Sequence, residues 1–386
     1  MSQFTVLNRR LVTWPSFLLA LMVIATFALI GQRFFLGLGA VTNLNDGFPW
    51  GIWIVYDVVI GTAFACGGYV LAFLVYVFNK GQYHPLVRTA LLASLFGYAL
   101  GGVSAFLDMG RYFNMFNFFD PGSWNWNSTM LEVALCVMAY TMVLIIEFLP
   151  PVFERFGWLK LKAKLEKVLF VFIAIGALLP TMHQSSLGSL LIAMGPKVYP
   201  LWQVNWMQPL FAIITAVLMG LTIIVWEGSI VSVGFSRKPE THLLTNIGKF
   251  AFWTICLFLV LRLADLTVRG VWPLAFAGDR RGNFFLLEMV LYFVPLVILA
   301  SPTRRQRGSQ LLIAATTLLL AGGLYRLNAM LIGWVPDPSN PTQMITYFPS
   351  FTELFITIGL IATEVFGFIV AVKLFPVLPN LEAETT

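Results

Sequence analysis

Charge is what this sequence has least of. Only 11% of its 386 residues are Asp, Glu, Lys or Arg, against about 25% in an ordinary soluble domain. So few charges cannot clothe a water-facing surface of this size, which argues against a soluble protein and makes lipid the main solvent. Histidine and cysteine are scarcer still, with 3 copies of each. Cys66, Cys136 and Cys256 lie far apart in apolar stretches, with no CxxC pair and no Cys/His cluster. That spacing argues against an iron–sulfur or zinc site in this chain and against a disulfide framework. It leaves the thiols as small packing residues. A net charge of +6 in this setting reads as basic loops beside a membrane, with no nucleic-acid partner.

What the sequence has instead is length in its apolar runs, with 59% hydrophobic residues and a mean hydropathy of +0.83. A hydrocarbon core about 30 Å thick takes roughly 20 helical residues per crossing. On that scale the chain divides into spans near 15–35, 51–78, 86–108, 128–149, 168–194, 209–233, 249–269, 283–300, 309–333 and 350–375. The expected fold is all-α, a single polytopic membrane domain over 1–386 with about ten transmembrane helices. Spans 51–194 and 209–333 are expected to form two four-helix bundles, with 15–35 and 350–375 as peripheral helices. The two longest spans, 51–78 and 168–194, are expected to tilt or break. Arg9 and Arg10 precede an apolar run from Trp14 to Ile30, which reads as an uncleaved first helix.

The basic residues set the orientation. Arg9, Arg10, Lys160, Lys162, Lys164, Lys167, Arg304, Arg305 and Arg307 fall on one side, and only a few, such as Arg33, Arg111 and Arg280, on the other. The bias places both termini in the cytoplasm.

Charges inside helices then become the informative residues, because each costs at least about 2.5–3.5 kcal/mol to insert and needs a partner or a task. Asp57, Asp108, Glu132 and His183, on four successive helices, all fall in the outer half of the first bundle. Pro180 is expected to kink its helix, with His183, Gln184, Ser185 and Ser186 just beyond; the plain alternative is that serine and glutamine re-satisfy the freed carbonyl and His183 hydrogen-bonds a neighbour, but a mid-membrane histidine beside a polar run is costly for packing alone. In the second half Arg262 and Asp265 are three apart and can neutralise each other. Glu227, Glu288 and Glu364 add further intramembrane carboxyls, and Glu147 lies nearer the cytoplasm. Imidazole and buried carboxyl groups exchange protons near neutral pH, and 35 Phe, 12 Trp and 11 Tyr supply aromatic walls. Together they suit chemistry that couples electrons to protons. Haem is not expected: only His183 lies inside a span, and a bis-histidine haem needs two facing ligands.

Several long stretches carry a resemblance. They are Gly47-Phe-Pro-Trp-Gly-Ile-Trp-Ile-Val-Tyr-Asp57, Asn79-Lys-Gly-Gln-Tyr-His-Pro-Leu-Val-Arg88, Asp108-Met-Gly-Arg-Tyr-Phe-Asn114, Phe153-Glu-Arg-Phe-Gly-Trp158, Leu179-Pro-Thr-Met-His-Gln-Ser-Ser-Leu-Gly188, Leu274-Ala-Phe-Ala-Gly-Asp279 and Tyr347-Phe-Pro-Ser-Phe-Thr-Glu-Leu. The chain resembles the NrfD/polysulfide-reductase family of membrane subunits, and within it the subunits of respiratory nickel–iron uptake hydrogenases. The resemblance implies a quinone-reactive subunit of the bacterial inner membrane with no redox centre of its own, neither haem nor metal. Its implied partners are a periplasmic iron–sulfur electron-transfer subunit, the large and small nickel–iron hydrogenase subunits, membrane lipid, and menaquinone or another quinone as substrate. It implies that Asp57, Asp108, Glu132 and His183 protonate quinone or line its pocket, with Arg111, Tyr112, Gln184, Ser185 and Ser186 beside them. Glu147, Glu227, Asp265 and Glu288 would serve a proton path. Membrane subunits for polysulfide or nitrite chemistry, and a secondary transporter with broken helices and midplane charges, are the alternatives.

Overall fold

A backbone in lipid must satisfy its N–H and C=O groups within its own segment, so each long apolar run becomes a helix. The computed structural model describes residues 4–7, 9–204, 206–235, 237, 240–339 and 346–380. Among these, 10 helices are long and apolar enough to cross a membrane. They are α1 (Trp14–Leu36), α2 (Trp53–Val77), α3 (Gly81–Asp108), α4 (Thr129–Phe156), α5 (Leu169–Met194), α6 (Gln208–Gly234), α7 (Thr241–Val268), α8 (Arg280–Ala300), α9 (Gly308–Leu327) and α10 (Phe351–Leu374). The all-α, polytopic expectation therefore holds. Local chemistry marks the helix ends. Ser128 and Asp279 accept hydrogen bonds from the first-turn amides of α4 and α8, and Gly157 closes α4 in the left-handed conformation (φ 71°).

The two longest spans differ. α5 stays helical through Pro180, whereas α2 is interrupted by a turn at Ala65–Cys66 and has wide π-helical turns over Trp53–Ile60 and Phe73–Val77. π turns recur at functional sites because they displace side chains and carbonyls from α positions. Asp57 lies in the first of them.

The chain forms two compact units, Met1–Pro180 with Tyr347–Thr386, and Thr181–Thr346. In the first, α3 packs against α2, α4 and α10, and α1 lies along α10. Small residues allow close approach: a Cβ on Gly97 would come within 2.6 Å of the Ala65 Cβ, so the α2–α3 contact requires glycine there. In the second unit α8 packs on α9, α6 on α7 and α9, and α7 on α8.

One end of the first unit is held by ions and by both chain ends. Phe4–Thr5 pairs antiparallel with Leu378–Pro379. Arg88 donates two 2.8 Å bonds to Glu154 and one of 2.7 Å to the Pro376 carbonyl, with the Phe4 ring 4.0 Å from its guanidinium. Lys162 adds a 2.8 Å contact to Glu154, which holds the lysine above its usual pKa. A bidentate charged pair of this kind contributes more than an exposed bridge. Arg88→Ala is expected to cost about 2 kcal/mol, read as a lower thermal midpoint for the detergent-purified chain, with Arg88→Lys recovering part of it.

Candidate functional site

The opposite end of the first unit gathers the C-termini of α1 and α3 and the N-termini of α2 and α10. Glu353 opens α10 in a capping box, where Ser350 Oγ accepts from the Glu353 amide at 3.1 Å and the Ser350 amide donates to Oε2 at 2.7 Å. The Asn43 amide also donates to Oε2, at 2.9 Å, and the Tyr347 hydroxyl donates to Oε1 at 2.5 Å. Tyr347 in turn accepts from the Ile52 amide at 3.0 Å, and the Trp53 indole donates to the Glu353 carbonyl at 3.2 Å. Burial, and then the adjacent carboxylate, holds the Tyr347 hydroxyl well above its ordinary pKa, so it remains a donor. Gly51 is needed beside them: a Cβ there would meet the Tyr347 hydroxyl at 3.0 Å and Glu353 Oε1 at 3.2 Å. Both Glu353 oxygens are thus engaged, and the group's work is to lock α2 to α10.

Asp57 is 8% exposed, and Thr357 of α10 donates to its Oδ2 across 3.4 Å, with Ser104 of α3 alongside. Asp108, the last residue of α3, lies close to the Gly51 amide and within the field of Arg33 and Glu353. Its Oδ1 is buried and has no hydrogen-bond partner.

Arg33 is the residue around which this end is organised. It is 0% exposed near the C-terminus of α1, donating from Nε to the Leu107 carbonyl at 2.7 Å and from Nη2 to the Met109 carbonyl at 2.5 Å. These bonds satisfy orphan carbonyls at the end of α3. The guanidinium lies 4.8 Å from the Phe34 ring centroid and 5.4 Å from that of Tyr112. Phe34 packs on Tyr112 at 4.9 Å and on Phe106 at 5.3 Å. Its Nη1 is buried without an acceptor. An unpartnered cationic donor and an unpartnered carboxylate oxygen therefore share one aromatic-walled corner. Buried polar groups demand partners, and this pair suits a flat ligand carrying a carbonyl.

The remaining sequence candidates scatter. Tyr112 belongs to the aromatic wall, but Arg111 and Glu132 are exposed. His183, 0% exposed, and its neighbour Gln184 lie in the second unit, with Arg326 as the electrostatic neighbour of the imidazole. Ser185 and Ser186 donate to the Met182 carbonyl at 3.0 and 2.9 Å, within their own helix rather than to a carbonyl freed by Pro180. Glu147 faces Gly176 of α5, where a Cβ would come 3.1 Å from its Oε1. Glu364 lies in α10 and Glu227, half-buried, in α6. The Arg262–Asp265 pairing expected from their spacing is replaced. Asp265 takes a bidentate bond from Arg269, four residues on (2.9 and 2.5 Å), while Arg262 turns to Glu288 on α8. An i,i+4 spacing serves a bidentate arginine better here, and Arg269, at the helix end, is free to fold back. Sequence reasoning passed over Arg33, counted as an outer-loop charge. The signal was its place just inside the C-terminal end of an apolar run.

A polytopic α-helical membrane protein is the class these features define, with a buried arginine and a buried carboxyl oxygen at one end of its first unit. The chain belongs to the NrfD family: residues 40–335 match the family described as "Polysulphide reductase, NrfD". It is 45% identical over 378 residues to the "Probable Ni/Fe-hydrogenase 2 b-type cytochrome subunit" of Escherichia coli (strain K12), covering 97% of this chain and 95% of that one. It is 26% identical over 373 residues to the "Menaquinone reductase, integral membrane subunit" of Nitratidesulfovibrio vulgaris, covering 90% and 87%.

The first of these names corrects an expectation. The histidine count pointed to a chain without haem or metal, whereas the E. coli relative is called a b-type cytochrome subunit, and that term denotes haem; the exclusion does not stand. The histidines here do not, however, form a bis-histidine site. His183 lies within α5, His84 in the turn that opens α3, 6.0 Å from the Phe4 ring, and His242 in the first turn of α7, 3.4 Å from Asn246. One intramembrane imidazole does not meet the two-ligand requirement.

Proposed function

We propose that this chain is the quinone-reactive membrane subunit of a respiratory hydrogenase, passing electrons from hydrogen oxidation to menaquinone. The observation that carries the reading is the corner formed by Arg33 Nη1 and Asp108 Oδ1, both buried and unpartnered beside Phe34, Phe106 and Tyr112. A quinone presents two carbonyl acceptors on a flat ring, and its reduction takes up two electrons and two protons to give the quinol. In this reading Arg33 donates to one carbonyl and stabilises the negative charge that reduction develops there. Asp108 relays a proton to the headgroup, and Asp57 of α2 supplies a further buried carboxyl in the same unit. The names of the hydrogenase and menaquinone-reductase relatives support the substrate class.

The electrons come from an iron–sulfur subunit docked at this end of the first unit, supplied in turn by nickel–iron hydrogenase subunits. The chain resides in the bacterial inner membrane with both termini cytoplasmic, as the basic loops indicate. Protons reach the site from the side of Glu147. His183 is assigned to quinone reduction by the family resemblance. His183→Ala is expected to leave hydrogen oxidation with a soluble dye intact and to lower quinone reduction about 100-fold, in assays on membranes and on the purified complex.

The test of the overall reading is purification of the chain from its native membrane under mild detergent. An iron–sulfur protein and hydrogenase subunits that co-purify, with hydrogen-dependent reduction of added menaquinone analogue, are the expected result. A chain that purifies alone and catalyses solute flux in liposomes would overturn it.

A further inference from the structure

The turn that joins α4 to α5 carries a charge pattern that quinone chemistry does not use. Gly157 reverses the chain, and a short helix follows over Leu159–Glu166, with only Lys167 and Val168 between it and α5. This helix has three distinct faces. The inner one bears Lys162, which contacts Glu154 of α4 at 2.8 Å and Glu166 at 3.3 Å. Lys160, Lys164 and Lys167 recur at i, i+4 and i+7, and Lys167 keeps helical backbone angles. They therefore form a second face, a basic stripe about 10 Å long. Leu161, Leu165 and Val168 repeat that spacing one residue on and make an apolar ridge beside the stripe.

The three stripe lysines are exposed, as is Arg155 in the last turn of α4. The carboxylates between Phe153 and Val168 are Glu154 and Glu166, and both are engaged by Lys162, Glu154 by Arg88 as well. Among the described residues no ion pair reaches Arg155, Lys160, Lys164 or Lys167. The apolar side is equally bare. Phe156 and Trp158, with ring centroids 5.5 Å apart, are exposed together with Leu161 and Val168. Phe170, in the first turn of α5, continues that surface into a membrane span. Tryptophan beside a span belongs at headgroup level, and a lysine-faced amphipathic helix lies in the interface with its apolar side toward the acyl chains.

We propose that the α4–α5 hairpin binds the headgroups of anionic phospholipids, with Lys160, Lys164 and Lys167 on the phosphates and Phe156, Trp158 and Leu161 among the first acyl carbons. The uncompensated stripe selects an anion. The ridge selects one that carries acyl chains, because a free phosphate would engage the lysines and leave the ridge in water. Lys162, on the opposite face, ties the same helix to the Arg88–Glu154 lock, so lipid held on the stripe also steadies that end of the first unit. The inference rests on the membrane-spanning fold and not on quinone binding.

The full chain, purified in mild detergent with whichever subunits stay bound, is titrated with phosphatidylglycerol and with phosphatidylcholine, and bound lipid is counted by native mass spectrometry. Phosphatidylglycerol is expected to bind preferentially. Replacing the three stripe lysines together (Lys160→Gln, Lys164→Gln, Lys167→Gln) should weaken it about 100-fold, since each lysine beside an anionic surface accounts for roughly fivefold. The triple arginine counterpart should keep the affinity. Phosphatidylglycerol should also raise the thermal midpoint of the wild type and not that of the glutamine variant; the two lipids are compared within each protein, so a general loss of stability does not imitate the effect. Equal binding of both lipids by the wild type reduces the lysines to a solvated orientation signal and overturns the proposal, as does a glutamine variant that keeps the preference. Inorganic phosphate that raises the midpoint as far as the lipid does assigns a soluble anion instead, and overturns it too.

Discussion

Asp108→Asn is expected to lower hydrogen-dependent quinone reduction by about 100-fold or more, the usual worth of a positioned acid–base group. Hydrogen oxidation with a soluble dye should be unaffected, because the dye draws its electrons before they reach this chain. The amide keeps the size of the carboxyl and its place next to the Gly51 amide, so the fold is not the variable. The loss should fall on kcat, since Asp108 acts on proton movement in the reduction rather than on headgroup binding. An Asp108→Asn complex with wild-type kcat for quinone would remove the carboxylate from the reaction.

Arg33→Met is the second large effect, and it falls elsewhere. A hydrogen bond from a charged donor to a ligand carbonyl is worth about 1.5–3 kcal/mol, which corresponds to roughly 10- to 150-fold in affinity. The KM for quinone should therefore rise by that factor. Arg33 also ties the Leu107 and Met109 carbonyls at the end of α3, so Arg33→Met lowers thermal stability as well. Arg33→Lys separates the two roles: it keeps the charge and loses the fork that reaches both carbonyls and the ligand. A lysine variant that binds quinone better than the methionine variant, at equal thermal stability, identifies the ligand contact. Equal KM in all three proteins would assign Arg33 to structure alone.

The helices were legible in the sequence because lipid imposes a simple rule. A run of about 20 apolar residues must be helical, and the spans drawn by that rule lie close to the helices found. Depth was legible too, since it is counted along each helix: Asp57 and Asp108 do lie toward one end of the first unit. Rotation about each helix axis was not legible, and it decides which charges meet. Arg262 and Asp265 share a face by spacing, yet packing of α8 on α7 brings Glu288 to Arg262 and leaves Asp265 to Arg269. Arg111 follows Asp108 in sequence, but the loop turns it to the exterior while Arg33 arrives from α1. Glu132 has the right depth and the wrong face. A charge near the end of an apolar helix, such as Arg33, reads as a loop residue until the neighbouring helix end that it caps is known.

The most direct test of the central claim is a structure of the complex with a bound menaquinone analogue. The account predicts one headgroup carbonyl within about 3 Å of Arg33 Nη1, the ring against Phe34 and Tyr112, and Asp108 within reach of the headgroup directly or through one water. A headgroup bound beyond the reach of both Arg33 and Asp108 would contradict it.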